Sequence, residues 1–209
     1  HELRPPLPSI RRWVETLRTL DDPADENYRK GLEIINNETG RLYNMVEELL
    51  DFSRLQNGRI RMDCRPLDLV AELTDAVLFC EARIQREGLV LSYTEPEEMI
   101  PVYADPDRLR QVFINILDNA IKYSAAEDGF VRAEAHVDGD KVVLTVSDNG
   151  IGIPDEDLPH IFDRFYRTDS SRNSAQGGSG IGLSIVRKIV EDHGGRIWAT
   201  SKEGIGTEI

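Results

Sequence analysis

The amino-acid sequence predicts an α+β chain: a helical hairpin that pairs into a dimeric four-helix bundle, followed by an α/β sandwich. Three observations predict it. Leu3, Leu7, Ile10, Val14 and Leu17 fall at spacings of 4, 3, 4 and 3, the heptad stripe of a bundle seam. Ile35, Leu42 and Leu49 are seven apart, with Met45 and Phe52 on the same face. Beyond Arg61 short β-branched or alternating runs interleave with helical stretches, as in a layered α/β fold.

The first helix covers residues 1–20 and ends near Asp21-Asp22-Pro23, because Pro23 disfavours helix at Asp22. The second runs from about Asp25 to Leu55 and stops at Asn57-Gly58, with Gly31 and Gly40 weakening it locally. A short loop between two helices makes an antiparallel hairpin. One hairpin cannot bury both sides of its stripe, so it either dimerises or packs on the rest of its own chain; the heptad regularity favours the dimer. The first domain is therefore 1–58 and the second 61–209. In the second, strands are expected at 89–93, 130–137 and 142–146, and helices at 69–86, 107–123 and 180–193. Asp138-Gly139-Asp140 is a hairpin turn signal. The sheet is mixed, with helices on one face. Residues 154–178 lack periodicity and are rich in Asp, Ser and Gly, as a lid or loop would be.

A net charge of −13 argues against binding nucleic acid or an anionic membrane surface. Cys64 and Cys80 have no metal-ligand spacing and read as free thiols, a disulfide having little support. No apolar run approaches the roughly 20 residues that span a bilayer. The chain opens directly on a motif without Met, and is expected to be a fragment whose missing N-terminal region could include a membrane segment.

Asn115, Asn119 and Lys122 stand at i, i+4 and i+7, on one face of the helix at 107–123. Two amides and a cation facing a cleft suit Mg²⁺ and phosphates, since Mg²⁺ takes oxygen ligands and keeps several waters. Asp148 follows a strand and precedes Asn149-Gly150-Ile151-Gly152. A buried carboxylate there can accept from the exocyclic amine of adenine, and glycines let the backbone pass close to a base. Gly177-Gly178-Ser179-Gly180-Ile181-Gly182-Leu183 opens a helix, whose N-terminal N–H groups stabilise phosphate. Singly, each has a plain alternative: a solvated helix face, an ordinary Asp-Asn-Gly turn, a flexible glycine stretch. There is no Walker-type Gly-Lys-Ser/Thr, and no strand immediately precedes the glycines as the Rossmann fingerprint requires.

Order and spacing together carry the weight. The three motifs resemble the N-box and glycine boxes of the GHKL ATPase superfamily, whose members bind ATP in a sandwich closed by a mobile lid. Phe162-Asp163-Arg164-Phe165-Tyr166-Arg167 resembles the F-box of that lid, and Gly204-Ile205-Gly206-Thr207 the last glycine motif. The resemblance implies that Asn119 holds Mg²⁺, with Asn115 helping to place metal and phosphate. It implies that Lys122 and Tyr123 reach the phosphates, that Asp148 reads adenine, and that Gly152 lines its pocket. Tyr166 and Arg167 would approach from the lid. Ile153, Gly178, Ser179, Gly180, Ile181, Gly182, Leu183 and Thr207 complete the nucleotide-binding set.

His1-Glu2-Leu3-Arg4-Pro5-Pro6-Leu7 resembles the H-box of sensor histidine kinases of two-component systems, usually His-Glu-Leu-Arg-Thr-Pro-Leu. The implied catalytic residues are His1, a nucleophile whose neutral form persists near pH 7, and Glu2, which can hold or remove the proton of the other ring nitrogen. The implied activity is ATP-dependent autophosphorylation of His1 and transfer to an aspartate on a response regulator receiver domain. The full-length protein is then expected in the bacterial inner membrane, with this portion cytoplasmic. Pro5 departs from the family's Thr or Asn, which positions a water for dephosphorylating the regulator; proline has no such group, so phosphatase activity should be weak or absent. The Pro5-Pro6 pair should also bend the helix. Arg11, Arg12 and Trp13 are candidates for regulator docking, unless Trp13 belongs to the bundle core. Two rivals remain: an ATPase or serine kinase without a His acceptor, and a nucleotide-dependent scaffold.

Overall fold

The computed structural model describes residues 6–19, 25–56, 62–125, 127–168 and 179–209. The chain divides into two compact units, His1–Arg59 and Ile60–Ile209.

The first unit contains helix α1 (Pro6–Leu17) and helix α2 (Glu26–Gln56). Gly31, early in α2, lies under residues late in α1, as an antiparallel hairpin requires: a Cβ there would stand 2.8 Å from Trp13 Cε3 and 3.0 Å from Leu17 Cδ2. The glycine that weakens α2 locally thus allows the close approach of the two helices. Trp13 is half-buried in this packing, so it belongs to the hairpin and not to an exposed docking patch. Arg11 and Arg12 stay exposed, and Arg11 pairs with Glu15 at 3.0 Å. The described part of α1 starts at Pro6, a first-turn position that tolerates proline; Pro5, and with it the expected bend, lies outside the described residues.

The second unit is a sheet under a layer of helices. Strands β2 (Val90–Tyr93), β4 (Phe130–Asp138), β5 (Lys141–Asp148), β7 (Gly206–Glu208) and β6 (Thr200–Lys202) form a five-stranded sheet in the order β2-β4-β5-β7-β6. β2 and β4 are parallel and the other pairs antiparallel. Gly139 takes φ +65° in the two-residue β4–β5 turn, matching the turn signal. Two short strands, β1 (Arg65–Asp68) and β3 (Pro101–Ala104), pair antiparallel outside the main sheet. The sequence reading did not anticipate them: four residues with a proline in each leave no alternation to detect.

The covering helices are α3 (Leu69–Arg86), α4 (Pro106–Tyr123) and α5 (Gly182–Asp192), with α4 packed against both others. The core lies between these helices and the sheet. Leu73, Leu117, Val131, Ala133, Val186 and Ile189 are fully buried there. Asp68 starts α3: its Oδ1 accepts from Val70 N at 3.1 Å and from Ile100 N at 2.9 Å. Asp105 starts α4, accepting from Asp107 N and Arg108 N at 3.1 and 3.2 Å. Its Oδ2 also takes the Asp63 N–H at 2.9 Å. His193 closes α5 onto this cap, its Nε2 accepting from Asp105 N at 3.0 Å while Nδ1 lies 2.8 Å from Ile189 O. That pair of bonds selects the tautomer with the proton on Nδ1.

Cys64 and Cys80 are both free thiols. Among the described residues no helix is long and apolar enough to cross a membrane.

Candidate functional site

The site is assembled where the C-terminal end of α4, the turn after β5, the start of α5 and the β6–β7 hairpin meet. α4 turns Val112, Phe113, Ile116, Leu117, Ala120 and Ile121 into the core. The remaining stripe holds Asn115, Asn119 and Lys122, all half-buried. Asn115 Nδ2 donates to Gln111 O at 2.8 Å, which leaves its Oδ1 as the outward-facing group. That oxygen is 2.9 Å from where a Cβ on Gly182 would lie. Gly182 is therefore the residue that lets the α5 N-terminus reach the amide stripe. Lys122 Nζ sits 4.8 Å from the Tyr123 ring centre.

Tyr123 contributes through its backbone. Its carbonyl accepts from Ile151 N at 3.1 Å, and a Cβ on Gly150 would stand 1.7 Å from the same oxygen. Glycine is the one residue that fits here, and the contact stitches the end of α4 to the turn after Asp148. Within that turn Gly150 N donates to Asp148 Oδ1 at 2.8 Å. Asn149 is a clamp: Oδ1 accepts from Phe130 N and Nδ2 donates to Asp128 O, both at 2.9 Å.

Asp148 is the pivotal group. Burial pushes its carboxyl above the ordinary Asp value, opposed by the N–H groups of Gly150 and Thr207. In the sheet Asp148 faces Thr207 on one side and Val131 on the other, and Thr207 faces Ser201. Directly opposed residues share a sheet face, so Ser201, Thr207, Asp148 and Val131 form one row. The fully buried Val131 marks it as the face that the helices cover.

Ser201 ties this row to the glycine turn. Its Oγ accepts from Ile153 N at 2.8 Å, donates to Gly206 O at 2.7 Å and lies 2.9 Å from Thr207 Oγ1. Gly152, at φ +66°, has no room for a side chain beside Lys202 O, which a Cβ would approach to 2.1 Å. Ser201 escaped the sequence reading. Its signal was a Ser and a Thr six apart across Gly204-Ile205-Gly206, the register of a hairpin.

At the start of α5, Ser179 Oγ accepts from Ile181 N at 3.1 Å and Ile181 is buried. Ile181 occupies the N-cap position without a side-chain capping bond, so no described side chain covers the first-turn N–H groups. Leu183 is half-buried beside them. Gly180, at φ +69°, receives the Phe165 N–H at 2.9 Å, and this bond joins the Phe162–Arg167 motif to the glycine stretch. Tyr166 donates its hydroxyl to Asp157, and its ring lies 5.3 Å from that of His160. Tyr166 therefore braces its own segment. Arg167 is half-buried nearby. His1, Glu2 and Gly178 lie outside the described residues.

Comparisons with known proteins extend this picture. Residues 1–58 match the His Kinase A (phospho-acceptor) domain. Residues 104–209 match the Histidine kinase-, DNA gyrase B-, and HSP90-like ATPase family. Sensor protein kinase WalK of Staphylococcus haemolyticus is 38% identical along the whole chain, which spans 34% of that protein's length. The chain thus covers about a third of the curated relative. Among solved structures, Acinetobacter baumannii histidine kinase AdeS superposes with a TM-score of 0.74 at 26% identity, covering 100% of this chain and 94% of that one. Histidine kinase ThkA, solved in complex with the response regulator protein TrrA, gives 0.77 at 30% identity, covering 100% of this chain and 58% of that one. A phospho-acceptor module followed by an ATPase module, in that order and matched along the full length, means that this chain belongs to the sensor histidine kinases.

Proposed function

We propose that this chain is the kinase core of a membrane-bound bacterial sensor: residues 1–58 dimerise and carry the phosphoacceptor His1, and residues 61–209 bind ATP and deliver its γ-phosphoryl group. The single observation that carries the nucleotide reading is the half-enclosed row Ser201, Thr207, Asp148, joined through Gly150 and Tyr123 O to the amide stripe of α4. A half-buried carboxyl at one end and, at the other, helix first-turn N–H groups that no described side chain caps suit a base and its phosphates respectively.

Mg²⁺ fits the donor set. Asn115 and Asn119 offer neutral amide oxygens one turn apart, Asn115 with its nitrogen already spent on Gln111 O, and Mg²⁺ accepts few protein oxygens beside waters. Those two residues would hold it, and it would neutralise charge on the phosphates. Asp148 accepts from the adenine amine, Gly152 and Ile153 line that end, and the α5 N-terminus with Lys122 holds the phosphate end. Phosphoryl transfer depends mostly on such positioning and charge stabilisation. A lone pair on a His1 ring nitrogen attacks the γ-phosphorus. The bond to the bridging oxygen breaks and ADP leaves with that electron pair. Glu2 holds the proton on the other ring nitrogen. The phosphoryl group then moves to an aspartate of a response regulator, the kind of partner that ThkA holds in its complex.

The test is incubation of the chain with Mg²⁺ and γ-labelled ATP beside His1→Ala and Asn119→Ala. An acid-labile, base-stable label present in the parent and lost in both variants supports the reading. Label or ATP turnover that survives His1→Ala overturns it in favour of an ATPase or a serine kinase.

A further inference from the structure

We infer that Ser201 is a specificity-determining positioning residue: by committing the hydroxyl proton of Thr207, it makes the Thr207–Asp148 edge acceptor-only and so selects a 6-amino purine over a 6-oxo purine. The inference rests on the reading of Asp148 as the contact to the base.

A hydroxyl carries one proton and two acceptor lone pairs. Ser201 Oγ receives the Ile153 N–H at 2.8 Å, and a carbonyl cannot donate, so its one proton goes to Gly206 O at 2.7 Å. The third contact, 2.9 Å to Thr207 Oγ1, is then satisfied only if Thr207 donates. With its proton spent toward Ser201, Thr207 shows lone pairs to whatever lies on its other side. In the cross-strand row that neighbour is Asp148, itself an acceptor when ionised. A purine whose position 6 meets this edge must bring N–H donors at that position. The exocyclic amine of adenine supplies them, whereas the 6-oxygen of hypoxanthine would face acceptors. A buried polar edge left with the wrong partner discriminates strongly.

Removing the Ser201 hydroxyl frees Thr207 to rotate and donate to a 6-oxo group. ATP and ITP differ at position 6 and at N1, which carries a proton only in ITP, and a Thr207→Val background separates the effect of the hydroxyl from the rest of that edge. Both would be measured by competition against a fluorescent ATP analogue on the 209-residue chain. Both nucleotides sample the same folded fraction, so partial unfolding leaves their ratio unchanged. The parent should prefer ATP, and Ser201→Ala should narrow the preference by about fivefold, the net worth of one hydrogen bond. Ser201→Thr, which keeps the hydroxyl, should retain it. In a Thr207→Val background Ser201→Ala should change the ratio no further. An unchanged ratio in Ser201→Ala with ATP still bound overturns the inference alone, as does a narrowing that persists without the Thr207 hydroxyl. A parent that binds no ATP overturns the nucleotide reading, and the inference with it.

Discussion

Asp148 and Asp105 show how one residue type takes opposite roles in one domain. Burial raises the Asp148 carboxyl, against the pull of two N–H groups. A carboxyl raised in the fold binds its proton more readily there than in the unfolded chain. Its contribution to stability therefore grows as pH falls through the raised value. The proposed contact to adenine runs the other way, since only the ionised form accepts without also presenting a proton. ATP affinity should fall on acidification at a higher pH than an ordinary Asp would dictate, and titration calorimetry across the acid range would show it. Asp148→Asn should weaken ATP binding by roughly ten- to a hundredfold, the range for a hydrogen bond to a charged group, and should abolish that pH dependence. An unchanged affinity would remove Asp148 from the site.

At the scale of the element, α4 is held by its cap. Asp105 is 6% exposed. Burial pushes its carboxyl up, but N–H groups of Asp63, Arg108 and Asp107 and the charge of Arg108 bring it net below the usual Asp value. A lowered carboxyl stabilises the fold above its unfolded-state pKa, and that stability is lost as pH falls through the folded value. Asp105→Ala strands three backbone donors and should cost about 2 kcal/mol, the upper range for losing an N-cap. Asp105→Asn should lose less, because the amide oxygen still caps. Urea unfolding of the three proteins checks the order. The consequence reaches the site because the same helix carries Asn115 and Asn119 farther along.

For the whole molecule, the hairpin exposes Leu7, Val14, Leu32, Tyr43, Val46 and Leu50. Leu7 and Val14 are seven apart, as are Tyr43 and Leu50, so each pair lies along one side of its own helix, the apolar surface that the proposed second copy would cover. Val14→Glu should shift a dimer toward monomer in sedimentation equilibrium without loss of ATP binding by the second unit. A wild-type chain that sediments as a monomer would contradict the proposed bundle. Regulator dephosphorylation tests the other consequence at this scale. Pro5 has no side-chain donor or acceptor, so the parent should dephosphorylate a phosphorylated regulator slowly and Pro5→Thr should be faster. A parent already as fast as Pro5→Thr would show that position 5 plays no part.

The sequence by itself determined the helices and their order, because each carries its own period and its own stop. The helix at 69–86 coincides with α3, and the Asp138-Gly139-Asp140 signal is the β4–β5 turn. It also offered the candidate nucleotide motifs, since the Asn115–Lys122 helix face, the Asp148–Gly152 turn and the glycines before α5 are each local signatures. What only the tertiary structure decided is which atoms of those motifs make contacts within the fold. Tyr123 serves through its carbonyl, Gly150 through the absence of a Cβ, Trp13 through its packing on Gly31, and Tyr166 through Asp157. Ser201 became visible only when β6 was set beside β7 and β7 beside β5. The reason is physical: a side chain's period is local and legible along the chain, whereas a hydrogen-bond partner across strands depends on a register that distant segments set together.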